Sequence, residues 1–281
     1  MWGLMSLLSA LLWAAASLVD KFAVNWEYRT LEILPATYTA GFIVVAWGQR
    51  NTPELWQPIH ILSGAGLAVF SLLNAFALLM ALRRGSVGLV SIVAGSHCVL
   101  TAIAATFLFG EKIALHQWFG ILLSLLGLIL VHGINPAKIE TDGSKGSRLW
   151  FWLALLAAIG SSGETLGLKF ATNLSAGAQY ALIWEYFIGS LVCHLLVAIY
   201  LVRLRLASSL FGLMDGFLTG LGMLTFGIAL SLGPASLVAT VATAAVLFRA
   251  LGGVVFFGDQ ARASQWLGFF ILICSFVLVQ V

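Results

Sequence analysis

Ten apolar runs, each about as long as a membrane-spanning helix, constrain this chain more than any other feature of its sequence. A helix of about 20 apolar residues crosses a bilayer, and short connections with turn residues separate the runs. Of the 281 residues, 61% are hydrophobic and 9% are charged, whereas a soluble domain has about 25% charged residues. The sequence therefore predicts an all-α membrane protein. Its predicted spans are 2–22, 33–49, 59–80, 86–108, 113–132, 149–170, 180–202, 207–229, 235–257 and 263–281.

The sequence repeats itself with an offset of 148 residues. The segment FLFGEKIALHQWFG at 107–120 returns as VFFGDQARASQWLG at 255–268. One ungapped register holds from residue 2 to residue 131, and chance alignment of apolar segments does not explain the rare residues that it matches. Among these matches are Lys21 with Lys169, Tyr38 with Tyr186, and Gly41 with Gly189.

This repeat predicts the domain organisation and the topology. The predicted domains are a first five-helix repeat at 1–132, a polar linker at 133–148 and a second five-helix repeat at 149–281. Five spans are an odd number, so the second repeat is expected to cross the membrane in the opposite direction. Inverted repeats of this kind are typical of alternating-access transporters.

The repeated motif is expected to form the same helix corner in each half. A glycine ends one helix, and an acid, Glu111 or Asp259, precedes the next helix, whose dipole favours a negative charge near its N-terminus. A tryptophan follows and marks the membrane interface. The connection is short, so both corners are expected to be tight turns between spans.

The ten spans, the two repeats and the motif F-G-[E/D]-x5-Q-W-x-G resemble the EamA-type members of the drug/metabolite transporter superfamily. The resemblance covers nearly the whole chain. It implies two inverted five-helix repeats around a central cavity, and a secondary transporter, often an exporter, of amino acids, other small metabolites or drugs. It does not imply which substrate is carried.

Ionisable residues inside a membrane are costly and by default mark a functional site. In this chain almost all of them occur in only one of the two repeats, so the two halves differ at the positions where a substrate would bind. The pairs formed by the 148-residue offset are Glu164 with Ala16, Glu185 with Thr37, Asp215 with Leu67, Arg249 with Thr101, and His97 with Ala245.

Arg249 is the strongest candidate for binding a substrate carboxylate. Helical spacing puts Arg249 on one stripe with small residues, and the aligned stripe of the fourth span carries His97 and Thr101. The alternative is that Arg249 forms a buried ion pair with Glu185 or Glu164 that only locks helices together. His97 and Thr101 are expected on the matching face of a pseudo-symmetric helix.

Glu164 is the candidate for binding an amine or a proton. The apolar sequence of the sixth span is interrupted at its centre by Gly160-Ser161-Ser162-Gly163-Glu164-Thr165. The last helices of each half also resemble small multidrug resistance exporters, in which a glutamate precedes a Lys-Phe pair by eight positions. Ser161 occupies that position here, and Glu164 lies one turn further on, so the resemblance does not transfer the proton-coupling role. A helix-packing hydrogen bond is the alternative.

Weaker candidates complete the predicted site. Glu185 and the neighbouring Trp184 lie near one end of the seventh span, where snorkelling or interfacial capping is the alternative. Trp13 is expected to hold an apolar side chain or a cation against its ring. Asn74 is expected to reach the cavity or to bridge helices, and Asp215 is a lesser candidate.

Several other classes of protein are disfavoured. A net charge of +3 is too small to indicate nucleic-acid binding. The three cysteines lie in apolar runs and are expected to be core residues, and the His-Cys neighbours cannot chelate a metal alone because adjacent helical residues diverge. The first run lacks a basic segment and a cleavage site, so a spanning helix is expected rather than a signal peptide. Neither an enzyme motif nor a nucleotide-binding motif is present, and no cofactor is expected.

The function predicted from these residues is secondary active transport of small amine-bearing metabolites such as amino acids. Export is the expected direction. The alternatives are a proton-coupled exporter of cationic drugs and an uptake permease of the same fold; a passive channel and a non-transporting scaffold are further rivals. The expected partners are a small-molecule substrate, the lipid bilayer and protons as coupling ion, with a monomer sufficient and a dimer permitted.

The expected location is the plasma (inner) membrane, with multiple passes. Ten lysine and arginine residues lie in connections after odd-numbered spans and three after even-numbered spans. The positive-inside rule then predicts both termini outside the cytoplasm. The family resemblance implies the reverse orientation.

Overall fold

The computed structural model describes residues 1–26, 28, 30–47, 53–82, 84, 87–132, 149–174, 178–257 and 263–280, and the regular secondary structure of this part of the chain is all helical. It confirms the predicted all-α membrane fold. The predicted linker at 133–148 and the acid Asp259 lie outside the described residues. The helices are α1 (Trp2–Asn25), α2 (Thr30–Ala46), α3 (Pro58–Leu82), α4 (Val87–Gly95), α5 (His97–Phe109), α6 (Leu115–His132), α7 (Leu149–Asn173), α8 (Ala178–Ile199), α9 (Leu206–Leu232), α10 (Ala235–Ala242), α11 (Ala244–Phe257) and α12 (Ala263–Gln280).

Each of the ten predicted spans corresponds to described helices. Eight stretches are long and apolar enough to cross a membrane, and two apolar helices, at 30–46 and 115–131, are shorter. The sixth span, whose sequence is interrupted by small and polar residues, is one continuous helix, α7. The protein is therefore a multi-pass membrane protein.

The fourth and ninth spans each contain a one-residue break in the α-helix, which the sequence did not predict; at both breaks the backbone stays in the α region and the N–H bonds to the carbonyl three residues back. The breaks fall at Ser96 and at Thr243, almost at equivalent positions of the two halves. The Ser96 hydroxyl donates to the carbonyl of Val93 at 2.7 Å, and the Thr243 hydroxyl donates to that of Thr240 at 2.7 Å. Side chains that bond to carbonyls of the preceding turn compete with the helix ladder and bend helices.

The helices form two compact units, and each unit takes segments from both halves of the chain. The first unit consists of residues 1–69 and 167–233, and the second of residues 70–166 and 234–281. This grouping by contacts differs from the grouping by sequence repeat. The two units are described separately below.

In the first unit, α2 and α8 contact each other reciprocally. A Cβ atom added to Gly41 would lie 2.3 Å from Cε1 of Tyr186, and one added to Gly189 would lie 2.4 Å from Cδ1 of Tyr38. The two tyrosine rings lie 5.8 Å apart, between their centroids. Each ring needs a glycine beneath it because any side chain there would occupy its place. The four residues are two pairs aligned by the 148-residue offset.

A second reciprocal contact in the first unit joins α3 to α8 and α9 to α2. Gly64 on α3 lies against the carbonyl of Ala181 and Cβ of Trp184, and Gly212 on α9 lies against the carbonyl of Ile33 and Cβ of Ala36. These are again aligned positions. Close approach through glycine lets helix backbones pack tightly in lipid, where van der Waals contact rather than the hydrophobic effect joins helices.

In the second unit, α6 and α12 show the same reciprocity. Gly120 lies against the Ser275 carbonyl, whereas Gly268 lies against the Gly127 carbonyl. The start of each helix meets the end of the other, so the two aligned helices are antiparallel. The Ser275 hydroxyl also donates to the Gly120 carbonyl at 2.8 Å. The inverted repeat stays a prediction, and these contacts support it.

The acid of the repeated corner has a different partner from the one that the sequence indicated. Glu111 precedes α6, as expected, but its carboxylate binds the N-terminus of α10 in the other half of the chain. It accepts hydrogen bonds from the backbone N–H of Ala235 at 2.6 Å, from that of Ser236 at 3.1 Å and from the Ser236 hydroxyl at 2.6 Å. The first turn of α6 is capped instead by Gln117, which accepts from the N–H of Ala114 at 3.0 Å.

Candidate functional site

The second unit contains six of the nine predicted site residues, on four different helices. The other three, Trp13, Trp184 and Glu185, belong to the first unit. The six residues are Asn74 on α3, His97 and Thr101 on α5, Ser161 and Glu164 on α7, and Arg249 on α11.

A hydrogen bond between two hydroxyl groups links α5 to α7. Thr101 is fully buried, and its hydroxyl donates to the Ser162 hydroxyl at 3.1 Å. Ser162 is also buried, at 5% exposure. The predicted site residue is its neighbour Ser161, which is half-buried and whose carbonyl accepts from the Thr165 hydroxyl at 3.0 Å. Only packing could distinguish the two serines, because both belong to the same polar run.

The glycines of this polar run bring α7 against α3. A Cβ atom at Gly160 would lie 2.8 Å from the backbone nitrogen of Asn74, and one at Gly163 would lie 2.4 Å from Cδ1 of Phe70. The close approach explains why small residues interrupt the sixth span. It also places Asn74 beside Gly160, which lies one helical turn before Glu164 on α7.

The helix break at Ser96 positions His97. This residue begins α5, is half-buried, and its Nδ1 lies 3.2 Å from the carbonyl oxygen of Ala94 across the break. Arg249 follows the equivalent break at Thr243 by six residues and lies near enough to His97 for the two to interact electrostatically.

Both breaks have recognisable signals in the sequence. Gly95-Ser96 pairs the two residue types that most often kink a helix, and Thr240 and Thr243 have the i, i+3 spacing that lets one hydroxyl reach the other residue's carbonyl. Apolar runs show where a span lies, but they do not show whether its backbone is continuous.

The accessibility of the charged candidates differs. The Arg249 side chain is exposed and Glu164 is half-buried, whereas Thr101 and Ser162 are enclosed. The arrangement offers a cation, a carboxylate and neutral hydrogen-bonding groups within one compact unit.

The three predicted residues of the first unit make packing contacts. Trp184 donates its indole N–H to the carbonyl of Leu55 at 2.9 Å, and its ring stands edge-on to Trp56 at 5.4 Å. The Trp13 ring packs on Phe226, 5.0 Å between centroids, above Gly222. Glu185 is 1% exposed. Their predicted contribution to substrate binding stays a prediction.

Within the described residues, no group of three or more histidine, cysteine, aspartate or glutamate side chains is arranged to hold a metal ion. The free cysteines Cys98 and Cys193 are buried, and Cys274 is partly buried.

Similarity to known proteins covers both the sequence and the fold. Residues 1–133 match the EamA-like transporter family. A WAT1-related chloroplastic protein of Arabidopsis thaliana is 31% identical over 159 residues, which are 54% of this chain and 36% of the relative. The uncharacterized transporter YxxF of Bacillus subtilis is 28% identical over 151 residues, which are 54% of this chain and 47% of the relative.

The chain thus spans between a third and a half of the length of these curated relatives. A solved crystal structure superposes on 99% of this chain and 95% of its own with a TM-score of 0.81, at 16% sequence identity, and therefore shows a shared fold. The family model that matches the first half of the chain and one of the two relatives are both named as transporters. Residues 1–133 are thus similar to the EamA-like transporter family, and the chain shares the fold of the solved structure.

Proposed function

We propose that this protein is a secondary active transporter of small amine-bearing metabolites such as amino acids. The observation that carries the proposal is the gathering of Asn74, His97, Thr101, Glu164 and Arg249 in one compact unit, beside breaks in two spans. Polar and ionisable side chains are costly inside a membrane, and they are therefore rare there unless they form a functional site. Four different helices contribute them, so a movement of these helices would change the site.

The charges suit a zwitterionic substrate. The planar guanidinium of Arg249 can bind a carboxylate with two parallel hydrogen bonds, and Glu164 can bind an ammonium group. Thr101 and Ser162 are already bonded to each other.

Alternating access is supported by the pairing of aligned helices. Antiparallel α6 and α12 and the reciprocal tyrosine–glycine contacts of α2 and α8 are what two inverted halves would produce. Export across the plasma membrane, coupling to protons, a functional monomer and the orientation predicted from the lysine and arginine count are parts of the proposal.

The test begins with a thermal-shift screen of the purified protein against amino acids, other zwitterions, amines and carboxylates. Compounds that raise the unfolding temperature are then followed into liposomes that contain the parent protein, Arg249→Ala or Glu164→Gln. We expect each variant to lose at least tenfold in transport rate, because a charge-assisted hydrogen bond contributes about 1.5–3 kcal/mol. Arg205→Ala is the matched control, since Arg205 pairs with Glu32 in the first unit and is expected to transport as the parent does.

The outcomes separate the alternatives. Parent-like rates in both site variants would overturn the site. Hits that are amines without a carboxylate, with full activity in Arg249→Ala, would favour an exporter of cationic drugs. Flux that follows the substrate gradient alone would favour a channel.

A further inference from the structure

Two aspartates, Asp20 and Asp215, occupy facing positions where α1 packs against α9 in the first unit. Trp13 lies against Gly222, and Asp20 and Asp215 lie seven residues further along these antiparallel helices, which is two helical turns and the same face. The carboxyl groups are close enough for their charges to interact. Asp215 is 7% exposed, whereas Asp20 is exposed and is the last residue of the apolar stretch of α1.

Polar groups surround the buried Asp215 carboxyl. The hydroxyl groups of Thr37 on α2 and Thr219 on α9 lie within hydrogen-bonding distance of the Asp215 carboxyl. The helices that pack on α9 in this unit carry other ionisable residues. Glu32 of α2 pairs with Arg205 at 3.7 Å, and α8 carries Glu185 and His194. Lys169 donates hydrogen bonds to the carbonyls of Leu230 and Gly233 at 2.7 and 2.9 Å. The Lys21 side chain lies outside the described part.

The other half of the chain makes the same helix contact without acids. The positions aligned with Asp20 and Asp215 are Leu168 and Leu67, and both leucines are completely or almost completely buried, at 0% and 1% exposure. Leu67 packs against Gly167, the neighbour of Leu168. An apolar pair therefore suffices to pack these helices, so packing does not explain the two carboxyl groups.

Electrostatics limits the charge that such a pair can carry. A carboxylate buried in apolar surroundings is costly, and two adjacent carboxylates repel each other strongly, so one of them retains a proton. The Thr37 hydroxyl donates to the carbonyl of Ile33 at 3.3 Å and the Thr219 hydroxyl donates to the backbone carbonyl of Asp215, so both oxygens can accept a hydrogen bond from a protonated carboxyl. Asp20 is exposed at the end of the apolar stretch of α1, whereas Asp215 is enclosed.

We propose that Asp20 and Asp215 together bind one exchangeable proton, and that this proton is the coupling ion of the transport cycle. The coupling role rests on the proposed transport function, whereas the binding of the proton does not. The proton arrives from water on one carboxylate, converting it to a carboxylic acid, and returns to water when the pair ionises. Proton binding then takes place in the first unit and substrate binding at the candidate site of the second.

Infrared difference spectroscopy of the purified protein tests the proton directly. Between low and high pH, the parent should lose the carbonyl-stretch band of a buried carboxylic acid, and both Asp215→Asn and Asp20→Asn should abolish or shift this band. A band that is unchanged in both variants, or no such band in the parent at any pH, would overturn the proposal. The double variant Asp20→Leu/Asp215→Leu copies the native Leu168–Leu67 contact and is therefore expected to fold; it should lack the band.

Transport assays test the coupling separately. In liposomes, an imposed pH gradient should accelerate substrate movement at least tenfold in the parent and not at all in Asp20→Leu/Asp215→Leu. Substrate should still raise the unfolding temperature of this double variant, because its binding site is unaltered. Equal acceleration in parent and double variant would refute the coupling role. If neither the parent nor the double variant transports substrate while the parent shows the infrared band, the transport proposal is refuted and the proton pair is still established.

Discussion

At the scale of single residues, contacts separate glycines that the sequence cannot tell apart. Gly216 on α9 faces the backbone of α2, where an added Cβ atom would lie 2.1 Å from the Thr37 carbonyl oxygen. Gly66 on α3 has no neighbour within 4 Å of such an atom. Both glycines lie in apolar helices and look equivalent in the sequence. Only the first is needed for close packing.

We expect Gly216→Ala to destabilise the protein by about 1–3 kcal/mol, because a backbone carbonyl cannot move aside and overpacking forces the helices apart. Gly66→Ala is the matched control and should be neutral or slightly stabilising, since alanine favours a helix over glycine by about 1 kcal/mol. Unfolding temperatures in the same detergent provide the comparison. Equal effects of the two substitutions would contradict the packing described for α2 and α9.

Thr101→Val should destabilise the second unit and slow transport. Valine has the shape of threonine but cannot donate, so the buried Ser162 hydroxyl loses its partner, at a cost of about 1–3 kcal/mol. Thr106→Val in the same helix removes only a bond to the Ala102 carbonyl one turn back and is the control. Thermal unfolding measures the difference, and a larger loss in the control would show that the α5–α7 bond contributes little.

The predicted site could be identified in part from residue type alone. Glu164, Arg249 and His97 are unusual because of their chemistry within apolar runs, and the sequence was sufficient to single them out. Ser162 was missed because an alternating run of glycine and serine does not show which hydroxyl faces a neighbouring helix. Asp20 was missed because it lies at the end of a span, where a carboxylate is ordinary until its neighbour on α9 is known.

At the scale of helices, two spans contain a one-residue break that the sequence did not predict. The breaks at Ser96 and Thr243 were not predicted because hydropathy reports the solvent of a segment and not the continuity of its hydrogen bonds. The short helix α10 follows the sharp corner at Gly233-Pro234, so its first N–H groups have no partners within the helix. Glu111 binds them from the end of another span.

A double-mutant cycle tests this cap. Glu111→Ala should cost about 1–3 kcal/mol, because it leaves the N–H groups of Ala235 and Ser236 unbonded, and Ser236→Ala should cost less. The double variant should cost less than the sum of the two single changes, since Glu111 and Ser236 also bond to each other. Lys112→Ala, at the exposed neighbouring position, controls for the loss of a charged side chain. Strict additivity would argue against the hydrogen bond.

At the scale of the whole molecule, the repeat and the compact units divide the chain differently. The repeat groups residues by sequence offset, whereas each unit contains helices from both halves. This arrangement follows if aligned helices pack on each other, as α2 packs on α8 and α6 on α12. The predicted two-fold relation between inverted halves would make each such contact occur twice.

Cysteine accessibility tests the inversion. His116 and Ser264 are aligned by the 148-residue offset, and both are exposed in the first turn of α6 and α12. In a cysteine-free background, His116→Cys and Ser264→Cys should react with a membrane-impermeant maleimide from opposite faces of the membrane. Labelling from the same face would refute the inverted repeat. The same experiment shows which face is cytoplasmic.

The sequence by itself determined the solvent, the secondary structure and the number of spans, because each apolar run must satisfy its backbone hydrogen bonds internally once it is in lipid. It also indicated which ionisable residues are too costly to be incidental. Tertiary structure alone decided the helix breaks, the partner of Glu111, the two compact units and the opposition of Asp20 to Asp215. These features depend on which helix faces meet, and in lipid that choice is made by close packing between particular small residues rather than by the hydropathy that the sequence displays.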